Sequence, residues 1–173
     1  EKFRDSKLPD SLANKGFMHC VVQCTRCNKK TDIFITHLQC AYEDENTKKS
    51  SIDRYREIQK NQLIQIARYL KTHNIDEYIL MGDFNINKNP DDKLFQLFTK
   101  LFNCNPKNFA QQPTYPENGT IIDYILVKTK NPRFAYDTYI LTQRAYKIVE
   151  KYKKPKKGRS NTSLEASTAL DYI

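Results

Sequence analysis

Apolar residues in this sequence switch back and forth between a period of two and a helical period, which limits the fold more than any other feature. In residues 16–38, Phe17, His19, Val21 and Gln23 alternate with Met18, Cys20, Val22 and Cys24. A polar turn over 25–31 follows, then Ile33, Phe34 and Ile35. This is the pattern of a two-stranded hairpin. From 51 to 72 the period becomes helical. Ile52, Tyr55, Ile58, Leu63, Ile66, Tyr69 and Leu70 fall within an arc of ~140° at ~100° per residue. Ser51 is placed to cap this helix, and Asp53 sits in its first turn. Residues 77–81 form a short strand of buried type ending at Gly82. Asn89-Pro90-Asp91-Asp92 predicts a helix start, with Pro at the first helical position. Leu94, Phe95, Leu97, Phe98, Leu101 and Phe102 line that second helix, and 121–127 is a further strand. Strand, strand, helix, strand, helix, strand predicts a layered α/β or α+β domain with helices covering a sheet. No internal repeat interrupts it.

Composition narrows the classes. With 173 residues, the chain is one domain or part of a larger one. A hydrophobic fraction of 39% supplies a core, and four glycines exclude a collagen-like chain. No apolar stretch is long enough to cross a membrane. The start, EKFRDSKLPDSLANKG, has no apolar signal-peptide region and no initiator Met, as expected of a piece of a longer chain. The net charge is +9, but Lys151, Lys153, Lys154, Lys156, Lys157 and Arg159 supply six of those charges, leaving +3 elsewhere. Such a run reads as a solvated tail or loop, disordered from about Lys153. The charge therefore does not choose between an anionic membrane and nucleic acid.

Polar residues gather where apolar strands end: Thr36-His37-Leu38-Gln39, Gly82-Asp83-Phe84-Asn85 and Asp123-Tyr124-Ile125. Taken singly, each reads as turn chemistry or a structural histidine. Taken together at neighbouring strand ends, they can converge in one cleft. His, Asp and Asn supply a donor, a base or hard-metal ligand, and a neutral amide. That set suits a phosphate ester and Mg²⁺.

The motifs KGF (15–17), FITHLQ (34–39), the helix RYREIQKNQL (54–63), ILMGDFNIN (79–87) and PTYPENGTIIDYILV (113–127) resemble the endonuclease/exonuclease/phosphatase superfamily in order and spacing. THLQ and the PTYP…DYILVK block are most similar to Mg²⁺-dependent neutral sphingomyelinases of bacterial type. The resemblance covers residues 15–140. It implies an α+β fold, part of a four-layer α/β/β/α sandwich of the DNase-I-like type. It implies a partial domain over 15–140, an N-terminal flank at 1–14 and a basic C-terminal segment at 141–173.

The resemblance also implies roles. His37 would contact the scissile phosphate and stabilise its developing charge. Asp83 would orient or deprotonate the attacking water. Asn85 would position phosphate and water, and Asp123 would orient a second histidine. Asp83 and Asn85 are the candidate metal ligands for Mg²⁺ or another divalent cation. The family's strand-end Asn, metal-binding Glu and closing Ser-Asp-His block have no counterpart here, so the chain carries an interior half-site. The implied activity is that of the parent protein: hydrolysis of sphingomyelin to ceramide and phosphocholine at a membrane surface, by a secreted or membrane-associated enzyme. A metal-dependent nuclease acting on nucleic acid, and a non-catalytic remnant of the fold, are the alternatives. No protein partner can be inferred.

Cys20, Cys24 and Cys27 have the C-x₃-C-x₂-C spacing of an iron–sulfur loop, but Cys20 and Cys24 fall inside an alternating strand. Ordinary buried or surface thiols are the expected reading. Five cysteines leave at least one unpaired within the chain. The sequence leaves open whether Cys24 and Cys27 pair. Asn118-Gly119-Thr120 fits a glycosylation acceptor but reads as a plain turn.

Overall fold

The structure is a computed structural model and describes residues 1–7, 15–41, 47–104 and 111–130. The end of the 15–140 unit and the basic segment 141–173 lie outside the described residues. Among the described residues the strands and α-helices follow in the order β1 (Phe17–Gln23), β2 (Lys30–His37), α1 (Lys49–Thr72), β3 (Tyr78–Asp83), α2 (Lys93–Phe102) and β4 (Asp123–Lys128), with a short 3-10 turn over Pro116–Asn118 before β4. The strands form one mixed sheet in the order β1-β2-β3-β4. β1 and β2 are the expected antiparallel hairpin. β2 and β3 run parallel, which requires a long crossover, and α1 supplies it. β4 returns antiparallel to β3. The α+β class expected from the periodicity is present.

Period-two alternation separates the two faces of the sheet. One face carries Phe17, Phe34, Leu80, Tyr124 and Leu126, all buried under the helices. α1 contributes Leu63, Ile66 and Leu70 to that core, and α2 contributes Leu94, Phe95, Phe98 and Phe102. Phe84, Phe98 and Tyr124 pack ring against ring, with centroids 4.8 Å apart for Phe84–Phe98 and 5.1 Å for Phe98–Tyr124. Each such side chain is worth about 1.5–3 kcal/mol on burial. The opposite face is also apolar, yet Met18, Val22, Ile35 and Ile125 remain 40–53% exposed on it. One helical layer on one sheet is half of a four-layer sandwich.

Several boundaries differ from the sequence expectation: β3 runs over Tyr78–Asp83 rather than 77–81 and β4 over Asp123–Lys128 rather than 121–127. α1 begins at Lys49, with Lys48 at its N-cap and no capping side chain, so neither Ser51 nor Asp53 plays the role expected of it. α2 begins at Lys93 rather than at Pro90. Asn89 closes a turn instead, its side chain accepting from the Asp91 amide. Asp92 is the cap, accepting from the amides of Leu94 and Phe95. An acidic side chain there satisfies donors the first turn leaves open. β1 ends at Gln23, placing Cys24 in the turn. Residues 1–7, read above as flank, join the domain. Lys2 bridges to Gly16, and Phe3 is buried in the core.

Candidate active site

Because β2 and β3 are parallel, their C-terminal ends arrive at the same edge of the sheet, and antiparallel β4 brings its N-terminal end there too. His37 pairs with Asp83 across β2–β3, and Asp83 pairs with Asp123 across β3–β4. The three residues occupy one rung on adjacent strands, on the face turned away from the helices. Gly82 permits this approach. Its φ is +141°, and a Cβ there would lie 1.9 Å from the Thr36 carbonyl oxygen. No other residue fits between the strand ends without displacing His37 from Asp83.

His37 Nε2 lies 3.5 Å from Asp83 Oδ2. This is an ion pair when the imidazole carries its second proton, and a loose contact when it does not. His37 is exposed, open to a substrate, while Asp83 is only 18% exposed in its side chain. Asp83 Oδ1 accepts from the Asn85 amide at 2.7 Å. That bond closes the turn after β3 and holds Asn85 in the left-handed region, φ +51°. Asn85 Nδ2 donates to the Leu38 carbonyl at 3.0 Å, tying the GDFN turn to the THLQ strand end. Lys15 Nζ donates to that same carbonyl at 2.7 Å.

Asp123 is set by Thr114, whose hydroxyl oxygen accepts from the amides of Ile122 and Asp123. Burial pushes its carboxyl above the ordinary range, partly offset by a hydrogen bond from Thr114. Its Oδ1 is buried without a hydrogen-bond partner among the described residues. A buried, unpartnered carboxylate oxygen is costly unless a further group serves it. Tyr124, next along, buttresses the rung from the core side, its hydroxyl 2.6 Å from the Ile86 carbonyl.

Two glutamines that the periodicity did not single out hold the site together. Gln59 and Gln62 of α1 are almost fully buried. Gln59 Nε2 donates to both the Gln39 and Asn85 carbonyls, each at 2.8 Å. One side chain thus clamps the turn after His37 to the turn after Asp83. Gln62 Oε1 accepts from the Gln39 amide at 2.8 Å, while its Nε2 donates to the Asp5 carbonyl. Both glutamines fall on the apolar face of α1, beside Ile58 and Leu63. A polar residue inside an otherwise apolar arc was the signal available for them. Arg56 of the same helix bonds Asp92, the cap of α2.

These groups line one cleft of about 720 Å³ that takes in His37, Asp83, Asn85 and Asp123. All four candidate residues are therefore brought together. The oxygen donors of Asp83, Asn85 and Asp123 suit a hard divalent cation, and the orphaned Asp123 oxygen fits a further polar partner. They are too few to complete a coordination shell. Among the described residues, no three His, Cys, Asp or Glu side chains gather as a metal cluster. His19 and His73 lie elsewhere: His19 bonds Asp32 at 2.7 Å and stacks on Phe34, and His73 stacks on Tyr69.

No family model and no curated protein sequence matches the chain significantly. Solved structures do match its fold. The crystal structure of SmcL is 26% identical with a TM-score of 0.61, over 77% of this chain and 49% of that one. A beta toxin from Staphylococcus aureus is 22% identical with a TM-score of 0.56, over 79% of this chain and 50% of that one. Sphingomyelinase C from Streptomyces griseocarneus is 18% identical with a TM-score of 0.54, over 78% of this chain and 49% of that one. The chain spans about half the length of these structures. Its sheet, its helices and the motifs gathered on one rung identify it as part of the endonuclease/exonuclease/phosphatase fold, with sphingomyelinase among the structures it resembles.

Proposed function

We propose that the protein carrying this chain is a divalent-cation-dependent phosphodiesterase that hydrolyses sphingomyelin to ceramide and phosphocholine. The observation that carries the reading is the rung His37–Asp83–Asp123 across three adjacent strands, with Asn85 clamped beside it. The likeness to SmcL, at 26% identity, and the fold shared with a sphingomyelinase C support it.

The chemistry follows from the positions of the groups. Exposed His37 donates from Nε2 to a phosphoryl oxygen, stabilising charge that builds up in the transition state. Asp83 Oδ2, next to that imidazole, accepts the proton of the in-line water. Asn85 holds the water and phosphate in register. A Mg²⁺ ion, held by Asp83 and Asn85 with ligands from outside the described residues, would neutralise the phosphoryl oxygens. Asp123 would fix a partner arriving over the open face of the sheet. A lipid substrate would make the protein secreted or membrane-associated. No helix among the described residues is long and apolar enough to cross a membrane.

The test is a comparison of full-length protein on sphingomyelin vesicles and on plasmid DNA, with Mg²⁺ and with a chelator. Metal-dependent release of phosphocholine is expected, reduced at least ~10²-fold by His37→Ala with unchanged circular dichroism. Cleavage of DNA alone would replace the lipid reading by the nuclease one. Undiminished hydrolysis by His37→Ala would remove the site assignment.

A further inference from the structure

Lys15 lies just ahead of β1 and lines the same cleft as His37, yet neither the rung nor its glutamine clamps account for its charge. Its backbone is pinned on both sides. The Phe3 amide donates to the Lys15 carbonyl at 3.0 Å, and the Thr36 hydroxyl donates to the Gly16 carbonyl at 3.1 Å. Gly16 lets the N-terminal segment close in there, because a Cβ would lie 2.2 Å from the Glu1 carbonyl oxygen. Thr36 directly precedes His37, so the Lys15 stem and the imidazole start from one fixed platform.

The ammonium ends at a carbonyl that already has a donor. Lys15 Nζ donates to the Leu38 oxygen at 2.7 Å, and Asn85 Nδ2 donates to the same oxygen at 3.0 Å. The two nitrogens therefore stand within two hydrogen-bond lengths of each other, which puts a cation beside Asn85. Capping Leu38 needs only the neutral amide. An ammonium there adds a full charge and fixes a long, half-buried side chain, at an entropic and desolvation cost that a neutral cap avoids. It has three protons to donate, and the Leu38 carbonyl takes one. The charges of the cleft point the same way. Asp83, Asp92 and Asp123 line it, and their carboxylates repel an anionic phosphodiester. Among the described residues, the cationic side chains lining it besides His37 are Lys15 and Arg56, and Arg56 is bonded to Asp92. Lys15 is thus the permanent cation tied to the turn after His37.

We propose that Lys15 is a phosphate-binding residue of this cleft, its ammonium meeting one non-bridging oxygen of the phosphodiester while His37 meets another. The inference rests on the phosphodiesterase reading and extends it, naming the side chain that holds the anionic group. A tetrahedral phosphate presents oxygens in several directions, so donors on neighbouring elements can hold it together, each bond strengthened by charge. Lipid and nucleic-acid diesters share this group. Lys15 therefore sets affinity for the phosphate and not the choice between those substrates.

The experiment titrates the full-length protein by calorimetry, in Mg²⁺, with phosphocholine and with a nucleoside monophosphate. Lys15→Met should weaken the tighter-binding probe at least ~10-fold, the scale of a charge-assisted hydrogen bond. Lys15→Gln keeps a donor for the Leu38 carbonyl without the charge. It should lose affinity as Lys15→Met does, while its urea midpoint stays at the parent value. Lys15→Arg keeps the charge and should bind more tightly than either. Lys71→Met removes an equal charge from the exposed last turn of α1 and should leave binding unchanged. The proposal is overturned by parent affinity in Lys15→Gln, by Lys15→Arg binding no better than Lys15→Gln, by an equal loss in Lys71→Met, or by binding of neither probe. Failure of the lipid reading shows separately, as cleavage of DNA but not of sphingomyelin, with the nucleoside monophosphate as the probe that binds and Lys15 still deciding its affinity.

Discussion

Asp123 is where function and stability are expected to oppose each other most openly. Its carboxyl is raised by burial. Between the ordinary value of 3.8 and its own higher value, the folded state holds a proton that the unfolded chain has lost. Stability therefore falls as pH rises through that window. Asp123→Asn removes the buried charge. Its melting temperature should exceed that of the parent chain by a few degrees at pH 7, and the gain should vanish as pH falls toward 3.8. Under the proposed phosphodiesterase reading, hydrolysis by the full-length protein should be lost in the same variant. Thermal melts across pH check the first part. Gly82→Ala should act in the opposite sense, costing about 2–4 kcal/mol in urea unfolding, because a Cβ there collides with the Thr36 carbonyl at a positive φ. Both residues could be named from sequence, since GDFN and DYI mark strand ends. What the sequence could not show is that Gly82 sets the spacing between His37 and Asp83, because only the parallel pairing of β2 and β3 makes that contact.

Helix α1 does more than cover the sheet. Tyr55, Ile58, Leu63, Ile66 and Leu70 were legible as its buried stripe, and they are buried. Gln59 and Gln62 were not, because periodicity sorts residues by polarity and assigns glutamines to the solvent. Their burial is tolerated because each amide meets backbone partners that the irregular turns leave open. Gln59→Leu should leave the Gln39 and Asn85 carbonyls unsatisfied, at a cost of about 2–4 kcal/mol. Gln59→Glu separates clamping from packing. An ionised carboxylate facing two carbonyls repels them, so this variant should be less stable at pH 7 than at pH 4.5, whereas Gln59→Leu should lack that difference. Urea titrations at the two pH values distinguish them. The helix ends were the least legible parts. Ser51 and Asn89 have the right chemistry for caps, but Lys48 and Asp92 take the positions. Arg56 selects Asp92 by bonding its carboxylate, a contact made 36 residues away in sequence and invisible to local rules.

Taken whole, the described residues are a layer with two apolar faces and helices on only one. Met18, Val22, Ile35 and Ile125 lie on the open face, the same face from which His37, Asp83 and Asp123 rise. A soluble layer does not ordinarily leave such a face to water. The chain also spans about half the length of SmcL, the beta toxin and the sphingomyelinase C. A second sheet stacked there, about 10 Å away, would bury the apolar rows and bring new side chains over the cleft in one step. Folding of the sandwich and completion of the site would then be the same event. Ile35→Ser tests this. Ile35 is 41% exposed, so in the 173-residue chain the substitution should change unfolding free energy by no more than about 1 kcal/mol. In a longer protein whose second sheet covers the face, it should cost about 2–4 kcal/mol. Under the proposed phosphodiesterase reading it should also lower hydrolysis, because a sheet stacked there would help to align the rung. Equal small costs in both chains would mean that the face stays open, and that the missing site residues do not arrive on a stacked sheet.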